Sequence, residues 1–412
     1  MLRSKMQSAT RWSAAGPVSL TCESPAIRSL RQLRGCGSNR KEMRFRPGRA
    51  VEAACVGIEF FGGKIGPWLN GAKHIEGNEG QFRRERREQA MNLGSGQFVY
   101  EEIESWGEVP DGWNIVEAPG VAVDSQDRVY VFCRSEHPVI VFDRDGQFLR
   151  SWGEGLIKRA HDIIVGPDDS IYCVDDWGHA VHKFTPEGEL LMSIETADSP
   201  ADTGYIWDIQ KEVLRAGPPF NYPTGIALSP EGELYVSDGY GNARVHKFTA
   251  EGELLSSWGE PGTGAGQFVT PHNVCVDRDG TVYVADRQNR RMQLFNSQGD
   301  HIGQWEDIWW PCDMCIDADN NMYVAEVGGI FMGETKKPVF DNPPARITVR
   351  DLSGRILSEW GMEDPYGSDR YFSPHNIAFD SRGDLYVGEV AHSYPDGTTP
   401  KEWRVLRKYA RT

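Results

Sequence analysis

Three histidines recur at one point of a repeating phrase: Arg159-Ala160-His161-Asp162-Ile163, Thr270-Pro271-His272-Asn273-Val274 and Ser373-Pro374-His375-Asn376-Ile377. Neutral imidazole is a good nitrogen donor for a divalent metal, and a catalytic zinc site commonly takes three protein ligands and keeps a fourth position for water or substrate. The three can act together only if the fold carries them to a common axis. Taken singly, a histidine at the start of a strand more often satisfies a local hydrogen bond. It is their regular placement that favours a metal. Two further groups invite chemistry. Arg134 ends the apolar run Val131-Phe132-Cys133, and Tyr240 leads the loop Asp238-Gly239-Tyr240-Gly241-Asn242. A phenol works as a general base only when a neighbouring cation or metal lowers its pKa, so each of the two reads by itself equally well as a loop residue.

The elements that must position these groups form a repeat from about residue 97 onward. Its clearest copy runs Gly225-Ile226-Ala227-Leu228, a turn, Glu233 to Asp238, a loop, Arg244 to Phe248, a second turn, and Glu253 to Gly259. Short apolar runs rich in β-branched and aromatic residues, bounded by Asp, Gly, Pro and Asn, predict a four-stranded antiparallel meander. Copies align on a column Pro119, His161, Thr224, His272, Cys312 and His375, at intervals of 42, 63, 48, 40 and 63 residues. That spacing suits propeller blades with two units enlarged. The last copy holds only three strands, and the stretch from Phe98 to Gly107 reads like the fourth strand from Gly354 to Gly361. The expected fold is therefore an all-β, six-bladed β-propeller over residues 96–412, with a strand-swapped closure that removes exposed sheet edges. Histidines then fall in blades two, four and six. The turns between first and second and between third and fourth strands are short, while insertions at 196–220, 327–345 and 391–402 open onto one face, where a site is expected.

Several other features read as structural. Asp238, Asn242 and Arg244 are expected to fix the Tyr240 loop, with Asp286, Asn289 and Arg290 repeating the pattern in blade four. Cys312 and Cys315 are formally C-x-x-C, but residues three apart on a strand face opposite sides, which argues against a disulfide. His182 and His246 fall in third strands, away from the axis. Tyr205, Trp207, Trp309, Trp310 and Phe331 form an aromatic rim that could meet a ligand or anchor the insertions.

Charge separates the chain into two parts. Residues 1–95 hold 17 basic against 8 acidic side chains; of the chain's 44 and 60, the remaining 27 and 52 leave a net −25. An acidic body excludes nucleic-acid binding by counterion release. The first 95 residues are set outside the fold as a basic, disordered segment or an overextended reading frame, since the regular pattern starts after Met91. They lack the continuous apolar core of a secretory signal, no apolar run is long enough to span a membrane, and the eight cysteines show no framework spacing, so a reducing, cytoplasmic setting and a monomer are expected.

The phrases "AHDIIV" at His161, "YPTGIALSPEGELYVSDGYGNARVHKF" around Tyr240, "TPHNVCV…YVADRQNRRMQLF" at His272 and "SPHNIAFD" at His375 resemble NHL-repeat propellers, and specifically the peptidyl-α-hydroxyglycine α-amidating lyases. The resemblance implies zinc on His161, His272 and His375, Tyr240 as catalytic base, and Arg134 near the substrate and the tyrosine. It also implies a structural calcium bound through the carbonyls of Val121 and Ile163 and the side chain of Asn376, which stands where the family has aspartate. The implied substrate is a peptide or small molecule ending in α-hydroxyglycine, cleaved to an amide and glyoxylate. Ser373 stands where the amidating enzymes carry methionine, which bears on the peptide substrate. A non-catalytic NHL propeller that binds a protein or peptide on its loop-rich face, and a metal-dependent hydrolase or lyase of another small molecule, are the rival readings.

Overall fold

Each repeat unit folds as the antiparallel meander its turns predict. The computed structural model describes residues 93–196, 199–207, 212–327, 345–361, 371, 373–393 and 403–412. Blade one comprises Gly120–Val123, Val129–Phe132, Val139–Phe142 and Phe148–Trp152. Blade two comprises Ala160–Val165, Ile171–Asp175, Ala180–Phe184 and Leu190–Glu195, and blade three Pro223–Leu228, Leu234–Asp238, Arg244–Phe248 and Leu254–Trp258. Pro271–Val276, Val282–Asp286, Arg291–Phe295 and His301–Trp305 make blade four; Pro311–Ile316, Asn321–Glu326, Arg346–Asp351 and Ile356–Gly361 make blade five. Each first strand packs on the first strands of its two neighbours, the sixth on the first, so the six line a closed central channel.

Closure is by strand exchange. Blade six supplies Pro374–Phe379, Leu385–Glu389 and Leu406–Arg411, and Phe98–Ile103 pairs antiparallel with the last of these, Tyr100 opposite Arg411 and Ile103 opposite Lys408. Leu93–Ser95 adds a fifth strand outside it, so ordered pairing begins before residue 96. Residues 1–92 lie outside the described part, as do Phe331 and most of the second and third insertions. Among the described residues no helix is long and apolar enough to cross a membrane.

The core lies between blades, and a repeated wedge builds it. Tryptophans at the ends of outer strands, Trp152, Trp258 and Trp305, meet the aromatic residues Phe184, Phe295 and Tyr283; Trp106, just beyond the closing strand, meets Phe142 and Tyr386. Under each ring passes the glycine of a turn from the following blade, Gly188, Gly299, Gly354 and Gly146 respectively, with φ near +90° and no room for a Cβ. The recurring Gly and Trp-Gly of the sequence are thus two halves of one contact.

A second device ties the site face together. The second strands of blades two to six end in a buried carboxylate, Asp175, Asp238, Asp286, Glu326 or Glu389. Each accepts a backbone N–H from the segment leading into its own first strand, for example Asn221 N–H to Asp238 at 3.0 Å and Val269 N–H to Asp286 at 2.8 Å. Cys133 takes this place in blade one. The expected loop-fixing sets hold through Asp238 with Asn242 and Asp286 with Asn289, but neither expected arginine takes part: Arg291, not Arg290, bonds Asp286 at 2.7 Å, while Arg290 lies over the Trp310 ring. Arg244 turns outward to Glu260. Cys312 and Cys315 are both free thiols.

A candidate metal centre on the propeller axis

His161, His272 and His375 are each the second residue of a first strand. At this position the ladder slips: Ala160 faces Asp175 and Asp162 faces Val174, while Pro374 faces Glu389 and Asn376 faces Gly388, so the histidine between is unpaired. Blades three, four and five carry the same irregularity around Thr224, His272 and Cys312. A bulge adds one residue to a strand and re-aims its side chain, here toward the axis. The three imidazoles form an equilateral triangle with ring centroids 4.9 Å apart on every side. Their nearest ligand nitrogens all lie within 4.8 Å of one another, and all three rings are buried.

Their hydrogen bonds orient them. His272 donates Nδ1–H to the Cys312 carbonyl at 2.9 Å and His375 donates Nδ1–H to the Pro119 carbonyl at 2.8 Å. A backbone carbonyl on one ring nitrogen fixes the tautomer and leaves Nε2 as a lone-pair donor, the usual arrangement behind metal-ligating histidines. In blade three Thr224 replaces the imidazole and its hydroxyl donates to the Pro271 carbonyl at 2.8 Å, so the fold keeps its bonding there without a ligand. Burial pushes His161 and His272 well below the ordinary imidazole range and His375 down to about 3, with Arg134, Arg159 and Arg287 adding repulsion. All three are therefore neutral, the form that binds metal. His375 Nε2 and His161 Nδ1 are buried with no hydrogen-bond partner, an expense a folded protein rarely bears unless a ligand satisfies them. The donor set fits a divalent metal.

A second ring of side chains sits beside the triangle. The residue after each of the carboxylates that end the second strands, or after Cys133 in blade one, bonds its N–H to the carbonyl two residues before the histidine column: Arg134 to Glu117, Asp176 to Arg159, Arg287 to Thr270, Val327 to Trp310 and Val390 to Ser373. In blade three Gly239 intervenes and Tyr240 makes the bond, to Tyr222. The ring thus reads Arg134, Asp176, Tyr240, Arg287, Val327, Val390. Tyr240 turns its hydroxyl to within 3.0 Å of His161 Nε2 and 3.2 Å of His272 Nε2. Arg287 lies over the Tyr240 ring, 5.4 Å from its centroid, and 3.9 Å from Cys312 Sγ. Among the described residues no carboxylate reaches Arg287 within ion-pair distance, and its Nε is buried without a partner.

Arg134 is bound to Glu117 at 2.7 Å, to Ser393 Oγ at 3.0 Å and to the Ala160 carbonyl at 3.1 Å, and its charge acts on all three histidines. The guanidinium against Tyr240 is that of Arg287. The sequence singles out Arg134 and not Arg287, although Arg287 follows Asp286 in the repeat as Arg134 follows Cys133, so the signal is present in the repeat. Asp176 was missed as well; it is fully buried, pairs with Arg159, and burial pushes its carboxyl up to about 7.

The residues expected at a calcium site lie one step farther along the channel. Asn376 accepts the Val121 N–H at 2.8 Å and donates to Asp162 at 2.9 Å; Asp162 in turn accepts the Ile226 N–H, and Asp313 accepts from Asn273 and from the Ile377 N–H. Calcium takes six to eight oxygen ligands. The Asn376 oxygen accepts one backbone N–H, and Val121, Ile163 and Asn376 offer three oxygens toward that set. Burial pushes Asp162 up to about 6, and burial with repulsion from Asp162 pushes Asp313 well above the ordinary carboxylate range. This polar ring separates the histidines from a cavity of about 640 Å³ that opens toward the other face.

Fold and site together define a six-bladed β-propeller with a buried three-histidine centre on its axis. Residues 220–248 match the NHL repeat. The chain is 34% identical over 204 residues to NHL repeat-containing protein 3 of Mus musculus, covering 47% of this chain and 54% of that one. It is 25% identical over 333 residues to the peptidylglycine alpha-amidating monooxygenase of Rattus norvegicus, 72% of this chain and 31% of the other. It is 26% identical over 267 residues to peptidyl-alpha-hydroxyglycine alpha-amidating lyase 1 of Drosophila melanogaster, 60% and 45% respectively. The chain thus spans about a third to a half of the length of these relatives. Among solved structures, the virginiamycin B lyase of Staphylococcus aureus superposes with a TM-score of 0.47 at 14% identity, over 76% of this chain and 89% of that one.

Proposed function

We propose that the protein is a zinc-dependent lyase that cleaves the C–N bond of a carbinolamide, R-CO-NH-CH(OH)-COO⁻, to an amide and glyoxylate. One observation carries the reading: three neutral imidazoles converge on the axis with a phenol hydroxyl bonded between two of them and the Arg287 guanidinium against that phenol. His161, His272 and His375 would hold the zinc, which would supply Lewis acidity toward the substrate hydroxyl. Tyr240, with the Arg287 guanidinium over its ring, is assigned as the base that takes the hydroxyl proton. The oxygen's electron pair then forms the aldehyde C=O, the C–N pair leaves with nitrogen, and Tyr240 returns the proton to the departing amide. Atoms balance without water. Arg287, with no carboxylate in ion-pair reach among the described residues, is assigned as the partner for the substrate carboxylate, since a cation so placed gains a charge-assisted bond from a bound anion. Arg134, fixed by Glu117, adds positive potential on the opposite side of the triangle.

The test is glyoxylate release from an N-acyl-α-hydroxyglycine by purified protein, with metal measured in the same sample. His272→Ala is expected to lose both zinc and activity; a fully active His272→Ala protein would remove the metal from the mechanism. A scaffold that binds a protein partner is the second reading, favoured by the 34% identity to a relative whose name carries no activity. Absence of stoichiometric metal from the wild-type protein would support it.

A further inference from the structure

A run of aromatic side chains leads away from Tyr240 on the side opposite blade four. The Trp207 ring meets Tyr240 edge to face at 6.1 Å, Tyr222 at 5.0 Å and Trp177 at 5.9 Å, and Tyr205 meets Tyr222 at 5.8 Å. The residues come from two separate segments: Trp177 follows the second strand of blade two, and Trp207 lies in the insertion before blade three. Arg159 joins them, its guanidinium 5.3 Å from the Trp177 ring and 5.4 Å from the Trp207 ring. Arg159 is itself fixed by its ion pair with the buried Asp176 of the second ring. The two indoles therefore rest on a cation anchored in the wall of the site.

The insertion has polar anchors besides these rings. Asn221 donates to the Ala201 carbonyl at 2.9 Å and to Thr203 at 3.0 Å, and Asp238 holds the Asn221 N–H. Trp177 belongs to no insertion, yet it is 48% exposed. An indole left half in water beside a catalytic-type centre has unspent apolar area, and ring–ring contacts contribute beyond area alone. Resting on the lyase reading above, a carboxylate at Arg287 and a hydroxyl at Tyr240 direct the N-acyl group of the substrate away from blade four, across Trp207 toward Trp177.

We propose that Trp177 and Trp207 form a subsite for the N-acyl group, and that the preferred substrate carries an aromatic ring there: an N-aroyl-α-hydroxyglycine, or an α-hydroxyglycine preceded by an aromatic residue. The comparison is between N-benzoyl- and N-acetyl-α-hydroxyglycine in turnover, and between N-benzoylglycine and N-acetylglycine in equilibrium binding. The wild-type protein is expected to favour the benzoyl compound in kcat/KM by roughly tenfold, the worth of a good ring contact. Trp177→Ala with Trp207→Ala should erase the preference, and Trp207→Phe should keep most of it. Turnover of both compounds with equal efficiency, or a preference that survives the double substitution, overturns the subsite and leaves the lyase standing. Binding that favours N-benzoylglycine and loses this bias in the double variant, with no glyoxylate from either compound, supports the subsite and removes the lyase. No turnover and no binding preference removes both.

Discussion

Tyr240 separates binding from chemistry at the level of single residues. Its hydroxyl touches two of the three imidazoles, but the nitrogens that orient His272 and His375 are held by carbonyls, independently of the phenol. Tyr240→Phe should therefore retain zinc at the wild-type stoichiometry while kcat for glyoxylate release falls about 10²- to 10⁴-fold, the usual worth of a positioned proton-transfer group. Loss of zinc along with activity would instead make the tyrosine part of the metal site. Arg287 shows why a residue-by-residue reading falls short. In sequence it is one of three arginines at blade four's loop, with Arg290 and Arg291, and only the ring of backbone bonds that also sets Arg134 and Tyr240 places it against the phenol.

At the scale of elements, the blade-to-blade wedge carries the stability argument. Gly188 has φ +94° and an added Cβ would collide with the Trp152 ring, whereas Gly232 has φ +86° and open space around it. Alanine at Gly232 bears only the left-handed backbone penalty, about 1 kcal/mol, but at Gly188 overpacking adds about 1–3 kcal/mol. Chemical denaturation should thus rank Gly188→Ala clearly below Gly232→Ala. Equal midpoints would mean that the tryptophan wedge is soft. The strand bulge at the histidine column is the element the repeat pattern could not announce. The pattern reports which residues alternate, while the slip depends on how Pro271 and Asp286 or Pro374 and Glu389 pair across the sheet.

Ring closure is the property of the whole molecule. Phe98 and Tyr100 lie in the core against Tyr323, Trp360 and Tyr409, and Tyr100 shares a 2.9 Å hydrogen bond with Tyr323. A protein beginning at Met91 should unfold at the same temperature as the full chain. One beginning at Glu104 loses two buried aromatics, worth about 3–5 kcal/mol each, and exposes Leu406–Arg411 as an open edge, so it should aggregate or lose cooperative unfolding. Matching melting curves for the two truncated proteins would refute the closure as a stability element.

The sequence by itself determined the number of blades, the swapped strand and the alternation of histidines, because strand periodicity, turn residues and a repeating column are local properties that survive in one dimension. It also marked Tyr240, through the loop that repeats in blade four. Which arginine meets that tyrosine, how far the three imidazoles stand from one another, and where the indoles of two distant loops gather were settled only by the tertiary structure. Those facts depend on side-chain direction around a closed ring, where residues 32 or 79 positions apart, such as Tyr240 with His272 or with His161, share a hydrogen bond.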